Sequence, residues 1–348
     1  MKPNLFAYLH FLVLFLRLKL LGFTTRLAPL PGGVLDGQTA LMRRAQVALG
    51  EQFLDQVPLE QARADFRTNF KLLRSIGGIF EKVASTRELT IPTPAGGMPA
   101  RLYLPDGEQG HPLFILLHGG GWVIGDLDTG DNMARFLCRH VPCAVLSVDY
   151  RLAPEHPFPA AVEDAAAALA WASEHALELH ADPRRVLVGG DSAGGTLTAA
   201  IAQGARAAGS PALAGQVLFY AATNCATLDT PSYREFGERS LGLPRRDVDW
   251  FLAQYTPDPH DRLDPRASPL LAQDLRGLAP ALVVTAEFDV LRDEGEDYAR
   301  RMQAAGVKVT LMRCNGVVHG FLSTVGLIRR ATLYFEHIAA EVRQMAAL

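Results

Sequence analysis

The sequence predicts an α/β protein: a mostly parallel, doubly wound sheet carrying a helical cap. Three observations predict it. Short, solid apolar runs recur along the chain, helix-length stretches separate them, and two regions break the alternation. A continuous apolar run of roughly four to eight residues suits a strand covered on both faces, the condition inside a parallel sheet. Strand–helix–strand alternation then brings right-handed crossovers and helices on both sides.

The 348 residues are 49% apolar and 20% charged, with a formal net charge of −3. That size suits one large core plus a smaller subdomain. The charge balance, with no basic run, excludes a nucleic-acid surface. Cys138, Cys143, Cys225 and Cys314 are scattered and form no C-x-x-C pair. They argue against a disulfide framework or a zinc site, and for buried thiols in a reducing, cytoplasmic setting.

Residues 1–34 form an apolar N-terminal segment. Between Leu5 and Leu16 only Tyr8 and His10 break the run, and Arg17 and Lys19 follow. It is shorter than the roughly 20 apolar residues of a spanning helix. It also makes a poor secretory signal, since only Lys2 precedes it and no small-x-small site follows. Two readings stay open. Residues 5–21 either contact a membrane surface or another subunit, or form an apolar helix lying on their own domain.

Pro29, Pro31, Gly32 and Gly33 punctuate the end of that segment. Residues 35–82 follow a helical pattern, with Leu41, Ala45, Leu49, Phe53 and Leu54 at helical spacing. Ile91 and residues 101–104 read as opening strands joined by a Gly96-Gly97 turn. Strand runs follow at 113–117, 144–148, 186–188, 217–220, 281–285 and 307–312. Helices are expected at 160–179, 193–208 and 294–305, the first two Ala-rich. Residues 224–264, rich in Pro, Arg, Asp and aromatics, interrupt the series and hold one short helix at 247–255. The expected organisation therefore alternates cap and catalytic segments: cap at 35–85, catalytic domain at 86–222, cap again at 223–264 and catalytic domain again at 265–348. The cap should sit over the carboxyl edge of the sheet, where such folds bind ligands.

The strand at 186–188 runs into Gly190-Asp191-Ser192-Ala193-Gly194 and then a helix, which is G-x-S-x-G in strand–turn–helix context. The turn lifts Ser192 clear of the chain as a nucleophile. The N–H of Ala193, at the helix start, aims at the same point, where the helix dipole favours negative charge. A phosphate loop would want Lys near the helix start, and none is there. The strand at 113–117 ends in His118-Gly119-Gly120-Gly121-Trp122. Such a glycine run turns successive N–H groups toward one oxyanion. Gly120 is the first choice of donor, Gly121 the second and Gly119 the third. His118 is read as a structural hydrogen bonder, and Trp122 as part of the substrate pocket.

Chain order places the base after the nucleophile and the acid, leaving His260, His319 and His337. His319, in a glycine-flanked loop after the last strand, is the choice. Asp289, just past the strand at 281–285, is the orienting carboxylate. Asp293 reads as a helix N-cap and Glu287 as a third choice. No metal ligands and no cofactor are expected.

Together HGGGW at His118, DYRLAPEHPFPAA from Asp149, GDSAGG from Gly190, SPLLA from Ser268, DVLRDEGEDYA from Asp289 and HGF at His319 resemble the bacterial hormone-sensitive-lipase family of esterases, which has the α/β-hydrolase fold. The resemblance covers roughly residues 35–348. It implies a carboxylesterase acting on short- to medium-chain acyl esters through a Ser–His–Asp triad. It also implies a helical cap built from two separate segments and a homodimer formed through the last strand and last helix. Val290 and Ala221 stand where the family commonly has Pro, and Val317 and Val318 replace more usual neighbours of the histidine. These departures bear on pocket shape. Asp149, Arg151 and Glu155 are expected to support the oxyanion loop from beneath. Two alternatives use the same triad: a membrane-associated lipase or phospholipase, and an amidase or deacetylase.

Overall fold

The computed structural model describes residues 33–48, 52–77, 81–107, 110–209, 212–238 and 241–347. The expectations for residues 5–21 therefore lie outside the described residues. Among those described, no helix is long and apolar enough to cross a membrane.

The strands are β1 Ser85–Thr93, β2 Gly96–Leu104, β3 His111–Leu117, β4 Ala144–Val148, β5 Ala181–Asp191, β6 Gly215–Phe219, β7 Ala281–Phe288 and β8 Val309–Val318. They form one sheet in the order β1-β2-β4-β3-β5-β6-β7-β8. The pairs β1/β2 and β2/β4 are antiparallel and the rest parallel. The opening hairpin turns one step earlier than the glycines suggest. Thr93 pairs with Gly96, so Pro94 and Ala95 form the turn and Gly96-Gly97 begin β2.

The inner strands β3, β4, β6 and β7, with the second half of β5, are buried on both faces, and residue parity decides which layer each side chain joins. Leu113, Ile115, Leu117, Val186 and Val188 pack into one apolar cluster, while Phe114, Leu116 and Leu187 pack into another. Side chains that alternate along a strand thus feed two separate helix layers. Helices α3 (Leu127–His140) and α9 (Arg329–Ala346) cover the second face. Helices α4 (Ala160–Glu174), α5 (Ala193–Ala208) and α8 (Arg292–Ala304) cover the first.

The N-terminal helical region is not continuous. It divides into α1 (Gly37–Ala48), a 3₁₀ turn (Leu54–Gln56) and α2 (Leu59–Gly77). The break falls at Val57, which is extended (φ −124°, ψ 147°) because Pro58 follows it. The 223–264 insertion carries α6 (Pro231–Phe236) and α7 (Arg245–Tyr255). Side chains from α1, α2 and α7 line one cavity together with residues that follow β3, β5, β6, β7 and β8. That places the cavity at the carboxyl edge of the parallel strands.

Candidate active site

β5 ends at Asp191 and α5 begins at Ala193, so a single residue makes the reversal. Ser192 takes φ 53° and ψ −117°, a region that L-residues rarely adopt. The Ser192 N–H donates to Phe219 O at 2.8 Å, and its carbonyl accepts from the N–H groups of Gly195 and Thr196 at 2.9 and 3.2 Å. A Cβ at Gly190 or Gly194 would run into the Leu117 carbonyl. Only glycine permits this approach of helix to strand.

The turn presents Ser192 Oγ to His319 Nε2 at 3.0 Å, and His319 Nδ1 lies 2.7 Å from Asp289 Oδ2. Asp289 is 2% exposed, and its other oxygen accepts from Leu291 N at 3.0 Å. The Tyr220 ring meets the imidazole edge-on, with centroids 5.0 Å apart. His319 is not carried on a long loop, as the flanking glycines suggest. β8 continues to Val318, so His319 is the first residue past the strand. The extra length comes from buried, β-branched Val317 and Val318 and from the pairing of Phe288 with Val318 beyond an irregularity that puts surplus residues on β8 between Cys314 and Val318. The rival histidines, His260 and His337, are both exposed. Glu287 accepts from Gly316 N at 2.8 Å. Asp293 is no N-cap; Leu291 holds that position. Asp293 sits in the first turn, accepting from Ser232 N and pairing with Arg292, each at 2.8 Å.

The glycine loop corrects one candidate donor. The Gly119 N–H donates to Asp191 Oδ1 at 2.8 Å and is taken. Among the described residues no protein acceptor meets the N–H of Gly120 or Gly121, and both glycines line the cavity beside Ser192 and Ala193. The Gly120 carbonyl faces away, accepting from Val123 and Ile124 at 3.1 and 2.9 Å. His118 is buried and structural: its Nδ1 meets Gly119 O at 2.8 Å, its ring stacks on Tyr150 at 4.3 Å, and burial pulls its pKa down.

The supports under this loop differ from those expected. Tyr150 Oη donates to His118 O at 2.6 Å. Arg151 instead clamps Asp164 through Nη2–Oδ1 at 2.8 Å, and Glu155 pairs with Arg63 of α2 at 2.7 Å. The tyrosine is hidden in sequence by the charged residues on either side of it. Asp191 is hidden as the variable position of G-x-S-x-G.

Burial raises the Asp191 pKa to about 6, against the opposing pull of the Gly119 N–H and of His319. A carboxyl raised in the fold gives stability that is complete below the ordinary value of 3.8 and lost as pH climbs through about 6. The span amounts to about 3 kcal/mol. In urea unfolding, Asp191→Asn should gain on the wild type by about that amount between pH 4 and 7. Asp149, also raised to about 6 by burial, cancels in the difference. A difference independent of pH counts against the buried ionisation.

The cavity measures about 720 Å³, within the usual range of small-molecule sites. Its walls are largely apolar, with Met42 and Phe66 from α1 and α2, and Val248 and Phe251 from α7. Trp122 lies in the wall at 3% exposure, stacked on Tyr255 at 4.2 Å.

Residues 114–323 match the family described as alpha/beta hydrolase fold. The chain is similar to the carboxylic ester hydrolase LipN of Mycobacterium tuberculosis, 53% identical over 68% of this chain and 64% of that protein. It is likewise similar to the carboxylesterase NlhH of the same organism, 45% identical over 65% of this chain and 72% of that one. The thermostable carboxylesterase EstE1, cloned from a metagenomic library, superposes with a TM-score of 0.81 at 42% identity, covering 83% of this chain and 98% of EstE1. The hyperthermophilic esterase of Pyrobaculum calidifontis gives 0.84 at 37% identity, covering 90% and 100%. With the fold, the motif order and these likenesses in agreement, the chain belongs to the bacterial hormone-sensitive-lipase family of α/β-hydrolases.

Proposed function

We propose that this serine hydrolase cleaves carboxylic esters of short to medium acyl chain, with Ser192, His319 and Asp289 as its triad. The unbroken line from Ser192 Oγ to His319 (3.0 Å) to Asp289 (2.7 Å) carries the reading. Ser192 Oγ attacks the ester carbonyl while His319 Nε2 takes its proton. The carbonyl electron pair moves to oxygen, which rests on the N–H groups of Gly120, Gly121 and Ala193. The C–O bond then breaks, and the alcohol leaves with the proton from His319. Water repeats the sequence on the acyl-Ser192. Asp289 fixes the histidine tautomer and stabilises the imidazolium.

Residues 35–85 and 223–264 act as the two halves of a cap. The apolar cavity, with Trp122 in its wall, supports acyl chains rather than charged substrates. We also propose a cytoplasmic protein with a peripheral membrane contact through residues 5–21 and a homodimer across β8 and α9. The place of β8 at the sheet edge supports the dimer.

An aryl phosphonate should label Ser192 covalently, seen by peptide mass, and p-nitrophenyl butyrate should be turned over. A series of longer p-nitrophenyl esters then sets the chain length that the cavity accepts. A protein that takes up no phosphonate and hydrolyses no ester of the series sinks the proposal.

A further inference from the structure

We infer that Arg63, on helix α2, is a positioning residue that holds the oxyanion loop in its working shape, so that the N-terminal helices set the rate of chemistry as well as cover the cavity. The inference rests on the ester-hydrolase reading above. The Arg63 side chain is only 16% exposed. Its Nε donates to Val123 O at 3.0 Å and its Nη2 to Ala153 O at 3.1 Å. Nη1 and Nη2 also grip Glu155 in a fork, at 2.8 and 2.7 Å. One guanidinium thus ties α2 to both backbone segments that flank the glycine loop.

Those segments are tied in turn to the loop. Ala153 N donates to Trp122 O at 2.9 Å, and Val123 N and Ile124 N donate to Gly120 O at 3.1 and 2.9 Å. The peptide between Gly120 and Gly121 is planar and trans, so its N–H points opposite to its carbonyl. Whatever fixes the Gly120 carbonyl therefore aims the Gly121 N–H. Gly120 and Gly121 sit at φ 121° and 58°, and glycines have many other conformations open to them. A loop this soft keeps its shape through outside contacts. Asp191 supplies one at Gly119, Tyr150 a second at the His118 carbonyl, and Arg63 a third through the turn at Val123. The neighbouring pairs, Arg67–Asp126 at 3.6 Å and Lys71–Asp128 at 4.0 Å, are longer, and both cations are exposed, so they contribute little. The planar fork of Arg63 reaches carbonyls and carboxylate together, which a lysine cannot do.

The test uses the full chain, with rates per active site titrated by the phosphonate and p-nitrophenyl acetate as a substrate too small to need the cap. Arg63→Ala should lower kcat about ten- to hundredfold with KM nearly unchanged. A trifluoromethyl ketone, which forms a tetrahedral oxyanion on the serine, should bind more weakly by the same factor. Arg63→Lys should restore part of the loss. Glu155→Gln should stay within about threefold of wild type, because the two carbonyl contacts survive. A lowered melting temperature with unchanged kcat per titrated site in Arg63→Ala overturns the inference, leaving a purely structural arginine. So does a Glu155→Gln protein as slow as Arg63→Ala. An inactive wild type, by contrast, counts against the ester-hydrolase reading itself.

Discussion

Ser192→Ala should lower kcat on p-nitrophenyl esters by about 10⁴- to 10⁶-fold, because the nucleophile and its base act as one unit. The Cβ is retained, so the strained turn at φ 53° is neither relieved nor worsened. The contacts that hold the turn are backbone ones: Phe219 O, Gly195 N and Thr196 N. Thermal midpoint should accordingly change by only a few degrees. What disappears is the hydroxyl 3.0 Å from His319 Nε2. Residual rate, on the order of 10³- to 10⁴-fold over water, would come from the glycine loop and the cavity. Substrate binding, followed by competition with a product acid, should persist. A variant that keeps wild-type turnover, checked for absence of contaminating host esterase, removes Ser192 from the mechanism.

Asp289→Asn should cost about 10⁴-fold in kcat while leaving the fold intact. The carboxylate is 2% exposed and makes two contacts, one to Leu291 N and one to His319 Nδ1. An asparagine oxygen can still accept from Leu291 N. Its amide nitrogen then faces Nδ1 and donates where the carboxylate accepted. The imidazole answers by carrying its proton on Nε2, and that nitrogen can no longer take one from Ser192. Phosphonate labelling should slow in parallel with turnover, since both need the same base. Near-normal labelling with slow turnover would instead point to a fault in deacylation alone and contradict the tautomer account.

The sheet is legible in the sequence because its signal is local. Each strand from β3 to β8 contains a short apolar run, although β5 and β8 extend beyond theirs through charged or polar residues, and the alternation of buried side chains needs only neighbours in sequence to be read. The element ends are less so. Val317 and Val318 read as loop beside their glycines, although their β-branching favours strand. What extends β8 through them is pairing with Phe288, a contact across 30 positions. The break at Pro58 is written in the sequence, but helical spacing on both sides of it masks the signal. The expected supports Arg151 and Glu155 fail for a different reason. Charged side chains in a motif find partners wherever the fold brings an opposite charge, here Asp164 on α4 and Arg63 on α2.

By itself the sequence determined the fold class, the serine at its bend, the glycine loop and the order of the acid and the histidine, all of them patterns written within a few residues. The tertiary structure alone decided that Ser192 meets His319 across 127 positions, that Asp191 removes Gly119 from the donors, and that Arg63 reaches Glu155 across 92. Distances of that kind depend on how layers pack and which way each strand's end faces. No period of two or 3.6 residues encodes them.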